Sequence, residues 1–160
     1  MVMIDPGPGY MNGNFINDLR SLLQGITAFL PSEEEIRALF WGRTNDLWEM
    51  AETLGSYGVE IVVIKRGGQG QYIYDHDSRK KWDVPAYPGR LVDPTGAGDA
   101  FCGGFLAGYI ATFDPLQAAL HGNVSASLSI EGSGAFYALE ALPGLAQARL
   151  QSLADIVRVI

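Results

Sequence analysis

The chain has 160 residues, 48% hydrophobic and 18% charged, enough for one domain with a real core. A formal net charge of −7, with Arg79-Lys80-Lys81 as the only basic run, excludes the basic face of a nucleic-acid binder and leaves that run as a solvated turn. One cysteine (Cys102) and two histidines (His76, His121) allow neither an internal disulfide nor a His/Cys metal cluster, and no segment has the apolar length of a membrane span or the pattern of a signal peptide, so a cytoplasmic protein is expected.

Val2-Met3-Ile4 predicts a short strand, stopped by Asp5-Pro6-Gly7-Pro8-Gly9. Phe15, Ile16, Leu19, Leu22 and Leu23 recur at helical spacing. Residues 26–30 form a second strand candidate, and Pro31-Ser32-Glu33-Glu34-Glu35 a helix start. A helix is expected over 46–56, with Leu47, Met50, Ala51 and Leu54 on one face. Val59–Lys65 is the clearest strand; its continuous Ile/Val character predicts burial on both faces, as in a parallel sheet. Arg66-Gly67-Gly68-Gln69-Gly70 is a turn, residues 71–74 a returning strand, and 82–84 another short strand. Helices are expected over 97–112, then from Asp114-Pro115 to Gly132-Ser133-Gly134, with Leu116, Leu120, Val124 and Leu128 as an apolar stripe, and finally over 145–157.

Strands alternating with helices predict an α/β layered fold with a largely parallel sheet, in which ligands bind beyond the carboxyl ends of the strands. Asp5, Lys65 and Asp93 all stand at predicted strand ends. The densest signal is Asp93-Pro94-Thr95-Gly96-Ala97-Gly98-Asp99-Ala100-Phe101, where a strand hands over to a helix. Gly96-Ala97-Gly98 leaves the main chain uncluttered, so an anion can approach backbone N–H groups at the positive end of the helix. Asp99 either complements the helix dipole or takes a proton from a group beside a bound phosphate; the adjacent Gly-Ala-Gly and the preceding Asp93 favour the second. The Walker pattern is absent, and Phe101 stands where a dinucleotide fingerprint needs its third glycine.

The stretch from Asp93 to Gly104 resembles the second signature of the ribokinase-like (PfkB-type) carbohydrate kinases, which usually reads Asp-Thr-x-Gly-Ala-Gly-Asp. Pro31-Ser32-Glu33-Glu34-Glu35 resembles the family's Pro-Asn-x-x-Glu element. Lys65-Arg66-Gly67-Gly68-Gln69-Gly70 resembles its Thr-Leu-Gly-x-x-Gly turn, and Asn123 with the following small-residue helix and Gly134-Ala135 resembles its purine-side segment. The resemblance implies an α/β/α layered fold, ATP and Mg2+ as cofactors, and a sugar or sugar-like substrate. It makes Asp99 the catalytic base, accepting the proton of a substrate hydroxyl that attacks the γ-phosphorus of ATP, with Gly96, Ala97 and Gly98 as the anion hole.

The remaining residues carry two readings each. By resemblance Glu35 organises Mg2+ through water, whereas Ser32-x-x-Glu35 is equally a capping box; Ser32 replaces the usual Asn beside the phosphates. Lys65, where the family often has Thr, reaches phosphate or snorkels. Gly67 and Gly70 let the turn pass close to nucleotide, or form a plain hairpin turn. Asn123 lines an adenine pocket or sits on a helix surface. Asp93 and the carbonyl of Thr95 match positions that hold a monovalent cation such as K+ in some relatives, and Pro94 departs from the usual Thr. Cys102, Trp41, Trp48 and Trp82 are read as packing residues.

The resemblance covers only the family's C-terminal, ATP-binding half, so residues 1–160 are expected to form one α/β domain without the N-terminal part, its lid and most of the sugar pocket. An open sheet edge is then expected, and with it a homo-oligomer or docking with a separate N-terminal half. Two other functions stand beside the kinase: a non-catalytic nucleotide-binding or regulatory module of the same fold, and an unrelated anion-binding domain.

Overall fold

The computed structural model describes every residue except 8, 10, 13–15, 135 and 143, and the side chain of residue 17. Pro8 of the first loop, Phe15 of the first predicted helix and Ala135 of the purine-side segment therefore lie outside the described residues. In chain order the elements are β1 (Met3–Ile4), α1 (Ile16–Leu22), β2 (Ile26–Phe29), α2 (Glu33–Leu39), α3 (Leu47–Ser56), β3 (Val59–Lys65), β4 (Gln71–Asp75), β5 (Lys81–Val84), α4 (Ala97–Thr112), α5 (Pro115–Ser129), α6 (Leu145–Ala154) and β6 (Arg158–Val159). Single 3₁₀ turns stand at Gly67–Gln69 and Tyr137–Glu140.

The strands follow one another across the sheet in the order β1-β2-β3-β4-β5-β6. β1 pairs with β2, and β2 with β3, in parallel, with Met3 opposite Ala28 and Ala28 opposite Ile61. β4 runs antiparallel to β3, with Val62 opposite Tyr74. The short turn after Lys65 cannot make the crossover that a parallel partner needs, so the chain returns alongside itself. The sheet is thus mixed, and the two-residue β1 stands at one end of the strand order.

The described chain divides into two compact units. The first comprises Met1–Gly67, Gln71–Trp82 and Val159–Ile160; the second comprises Gly68–Gly70 and Asp83–Arg158. In the first, β3 buries Val59 and all of Ile61, Val62, Val63 and Ile64, which accounts for its unbroken apolar run. Leu19, Ile36, Leu39, Met50 and Leu54 from α1, α2 and α3 close the core with Phe29, Val62 and Ile64, each burial stabilising the fold by roughly 1.5–3 kcal/mol. α3 starts on Asp46, whose carboxylate accepts from the Trp48 N–H at 2.8 Å. Trp48 stacks on Tyr72 with ring centroids 4.3 Å apart, Trp82 is buried, and Trp41 is 83% exposed. Arg79, read as part of a solvated turn, donates to the Tyr74 hydroxyl at 2.8 Å, and Lys81 pairs with Glu52.

In the second unit, α4 and α5 pack closely. A β-carbon at Gly104 of α4 would lie 2.7 Å from the His121 carbonyl oxygen of α5, so only glycine permits this approach. α5 begins at Asp114, whose Oδ1 accepts from the N–H of Leu116 and Gln117, with Pro115 in the first turn.

Three expectations need correction. α5 stops at Ser129 rather than at Gly132-Ser133-Gly134, and its buried face is broader than the Leu116/Leu120/Val124/Leu128 stripe: Ala118, Ala119, Gly122, Asn123 and Ser127 are buried, while Leu116 and Leu128 are only partly so. Small residues bury as readily as leucines when helices approach this closely. α6 ends at Ala154 rather than residue 157, because the chain beyond it turns extended, and the N–H of Ile160 bonds the Lys81 carbonyl. Asn123 is not a helix-surface residue; it is 5% exposed.

Candidate active site

In the first unit, the carboxyl ends of β1 and β3 bring Asp5 and Lys65 together. Lys65 Nζ lies 2.6 Å from Asp5 Oδ1, with the two side chains 15% and 31% exposed. The lysine does not merely snorkel. Its backbone N–H also donates to the Pro31 carbonyl, and Lys65 forms a parallel bridge to Ser32, which fixes the start of α2 beside the end of β3. There Ser32 and Glu35 form the reciprocal capping box: the Glu35 N–H donates to Ser32 Oγ at 3.2 Å and the Ser32 N–H to Glu35 Oε2 at 2.7 Å. Glu33, one residue on, takes Arg37 at 2.7 Å and Arg66 at 3.6 Å. The polar groups of this strand end thus engage one another.

The two glycines expected to admit nucleotide differ. Gly67 has a positive φ of 54° and open space around it. Gly70, at φ 91°, stands against backbone of its own unit: a β-carbon there would fall 2.0 Å from the Val84 carbonyl oxygen. Gly70 is required by the fold itself, whereas nothing in the packing requires Gly67 to lack a side chain beyond its φ.

The second unit contains the turn that leads into α4. The N–H groups of Val92 and Asp93 both donate to the Ile130 carbonyl at the end of α5, at 2.7 and 3.2 Å. Asp93 Oδ1 accepts from the Thr95 N–H at 2.9 Å, an Asx turn, and Oδ2 accepts from Ser133 Oγ at 3.1 Å. The Thr95 backbone N–H, followed by the Thr95 and Ser133 hydroxyls, holds the Asp93 carboxyl below its ordinary value of 3.8, against a small opposing effect of burial. Ser133, read from the sequence only as a helix stop, is therefore part of this turn.

Gly96 is the N-cap of α4 and adopts the left-handed conformation, φ 78° and ψ 3°, which a β-carbon would strain. Among the described residues no side chain caps the helix. The Ala97 N–H closes on the Pro94 carbonyl and the Ala100 N–H on Gly96, but among the described residues the N–H groups of Gly98 and Asp99 have no acceptor. These unpaired donors stand at the positive end of a 16-residue helix. The Asp99 carboxylate is exposed beside them and makes no hydrogen bond or ion pair to a described residue. An oxyanion can be received here by backbone donors, with an uncommitted carboxylate next to it.

Asn123, also in this unit, reaches from α5 to the segment before the turn. Its Oδ1 accepts from the Tyr87 N–H at 3.0 Å and its Nδ2 donates to the Pro85 carbonyl at 2.9 Å. Sequence reasoning passed over Arg149 of α6, which is buried at 6% exposure and bonds Ser127 and Glu131. The available signal was that Arg149 is the lone charged residue in Leu-Ala-Gln-Ala-Arg-Leu-Gln-Ser-Leu-Ala.

A partly parallel sheet with flanking helices defines an α/β protein, and the glycine-led start of α4 is a place where an anion can be received. Comparison with known proteins narrows the class: residues 2–142 match the pfkB family of carbohydrate kinases, and the chain belongs to that family. It is 37% identical over 134 residues to an uncharacterised sugar kinase of Archaeoglobus fulgidus, a match covering 84% of this chain and 51% of that protein. It is 42% identical over 91 residues to a cytidine kinase of Thermococcus kodakarensis, covering 57% of this chain and 32% of that protein. An E. coli ribokinase II solved with ATP and Mg2+ superposes with a TM-score of 0.69 at 26% identity, over 87% of this chain and 44% of the other. The chain therefore spans about half the length, or less, of the relatives it matches. The ribokinase-like fold expected from the motif is the fold observed, in part. Among the described residues no helix is long and apolar enough to cross a membrane.

Proposed function

We propose that this chain carries the nucleotide side and the phosphoryl-transfer turn of an ATP-dependent kinase that phosphorylates a hydroxyl of a sugar or sugar-like molecule. The observation that carries the reading is the pair of N–H groups at Gly98 and Asp99 beside the Asp99 carboxylate, all without a partner among the described residues. Asp99 is the base: it takes the hydroxyl proton as the oxygen attacks the γ-phosphorus, and the bond from that phosphorus to the β,γ-bridging oxygen breaks. The Gly96-Ala97-Gly98 backbone receives the charge on the transferring phosphoryl oxygens; alignment and charge neutralisation are what this chemistry chiefly requires.

In the first unit Ser32, Lys65 and Gly67 are the nucleotide-side residues; in the second, Gly70 and Asn123 are, with Asn123 on the purine side. The geometry refines these roles. Ser32 Oγ and Glu35 Oε2 already serve the capping box, which leaves Glu35 its second oxygen for a metal-bound water. Among the described residues no cluster of three His, Cys, Asp or Glu could hold a metal ion. Glu35, through a bound water, is the residue that would help hold Mg2+. When bound, Mg2+ neutralises the β- and γ-phosphate oxygens. Asn123 acts on the purine side by holding the 85–87 backbone, since both ends of its amide bond that backbone. Asp93, ionised, and the Thr95 carbonyl are the groups for a monovalent cation such as K+.

The acceptor is a sugar hydroxyl, free or within a nucleoside, as the names of the two relatives suggest. Its pocket takes residues from outside this half of the fold, whether from an N-terminal half or from a second copy. The second reading is a nucleotide-binding module of the same fold without turnover. Titrating ATP–Mg2+ into the pure chain, then assaying ADP release over a panel of sugars and nucleosides with Asp99→Asn as control, separates the two. Substrate-dependent release lost in Asp99→Asn is expected. Binding with no turnover in either protein supports the second reading, and no binding at all rejects both for this chain.

A further inference from the structure

We propose that Arg149 of α6 is a positioning residue for the phosphoryl-transfer turn: it locks the last turn of α5 against the segment 85–95 and so sets where the Asp93–Asp99 backbone lies. The proposal rests on reading that turn as the phosphate site. Arg149 lies beyond residues 2–142, the stretch that matches the family.

One planar group makes three contacts. Nη1 donates to Ser127 Oγ at 2.8 Å, Nη2 donates to Glu131 Oε2 at 2.7 Å, and the guanidinium carbon stands 4.6 Å from the centre of the Tyr87 ring. One of these points is in the last turn of α5, one lies two residues past its end, and one is on the segment leading to the turn. The segment passes Glu131 so closely that a β-carbon at Gly89 would lie 2.9 Å from Glu131 Oε1. Glu131 directly follows Ile130, whose carbonyl anchors the N–H groups of both Val92 and Asp93. Asn123 pins the other end at Pro85 and Tyr87. Arg149 therefore neutralises the carboxylate beside which the segment runs, at the residue next to the carbonyl that anchors the turn.

Stability is a poor explanation for this arginine. Its Nε is buried without an acceptor among the described residues, and a buried ion pair is often no better than apolar residues of the same volume. What a buried, stacked, forked guanidinium supplies is fixed geometry, which lysine cannot reproduce at three points at once.

The test is amide hydrogen exchange on the full chain, beside ADP–Mg2+ titration, for wild type, Arg149→Met, Arg149→Lys and Glu131→Gln. Arg149→Met is expected to speed exchange at Val92 and Asp93 by about tenfold while leaving Val59–Lys65 unchanged, and to weaken ADP–Mg2+ by a similar factor. Arg149→Lys should recover part of both losses. Glu131→Gln, which keeps the side-chain shape, should reproduce the selective loosening even if Arg149→Met fails to fold. Unchanged exchange at Val92 and Asp93 in the folded variants, or loosening that extends equally to Val59–Lys65, overturns the proposal. Failure of the wild-type chain to bind ADP–Mg2+ overturns instead the functional reading beneath it, and the exchange data still decide whether Arg149 holds the turn.

Discussion

The strand-end cluster of the first unit and the helix start of the second are both polar and both carry family motifs, yet they differ in how their groups are used. At Asp5, Ser32, Glu35 and Lys65 the carboxylates, the hydroxyl and the ammonium engage partners within the protein. At Gly98 and Asp99 two backbone donors and a carboxylate have none among the described residues. Folding explains the first arrangement without a ligand. It does not explain the second, because an uncapped helix start gives up stabilisation that a side-chain cap would provide. A motif marks where to look; the satisfaction of its polar atoms distinguishes a framework from a receiving site.

The largest effect should come from Asp99→Asn. Turnover is expected to fall by roughly 10²–10⁴-fold while ATP affinity changes little, because the substitution removes a base and leaves the backbone donors in place. Paired turnover and binding measurements check this; a tenfold loss of nucleotide affinity at unchanged turnover would reverse the assignment. Gly70→Ala is next, and it sharpens the contrast on the framework side. The β-carbon would meet the Val84 carbonyl at φ 91°, so a loss of about 3 kcal/mol is expected in denaturant unfolding. Gly67→Ala meets no neighbour and should cost only the left-handed strain, about 1 kcal/mol. Equal losses would show that packing does not separate the two glycines. Smaller again is Ser32→Ala, which removes the capping hydroxyl and should cost about 1 kcal/mol of stability. If the box is framework alone, ATP–Mg2+ affinity, corrected for the unfolded fraction, stays the same.

Much of this was legible from local patterns. Val59–Lys65 and Ala97–Thr112 have the ends the sequence predicts, because an unbroken β-branched run and a glycine-led helix start are signals contained within a few residues. The capping box was likewise readable at Ser32 and Glu35, where the sequence alone favoured it slightly over a metal role and the family resemblance brought the two level. What escaped depends on contacts between distant residues. Asn123 bonds backbone 36 and 38 positions away, and Arg149 meets Ser127 and Glu131 at separations of 22 and 18. No periodicity encodes such partners. A lone arginine in an apolar helix announces only that a partner must exist. Arg158–Val159 was missed for the same reason, since its extended form depends on pairing near Lys81 rather than on its own apolar pattern.

The smallest expected effect tests whether Asp93 belongs with the satisfied or the receiving groups. Its carboxylate is held ionised by the Thr95 N–H, then by the Thr95 and Ser133 hydroxyls, so its value in the folded chain lies below the ordinary 3.8. A group whose folded-state value is depressed stabilises the fold fully above its unfolded value, and that contribution is lost as the pH falls through the folded value. Asp93 should therefore add constant stability from neutral pH down to 3.8 and progressively less below it. Asp93→Asn removes the charge, and with it this dependence: the urea midpoints of wild type and variant should differ at pH 6 and converge as the solution is acidified below 3.8. A gap that stays the same at pH 6 and pH 3 would mean that the bonds from Thr95 and Ser133 do not depend on the charge. Because the same carboxylate closes the Asx turn ahead of Gly96, its protonation in acid should also loosen the free amides that follow, so nucleotide affinity should fall over that acid range before the chain unfolds.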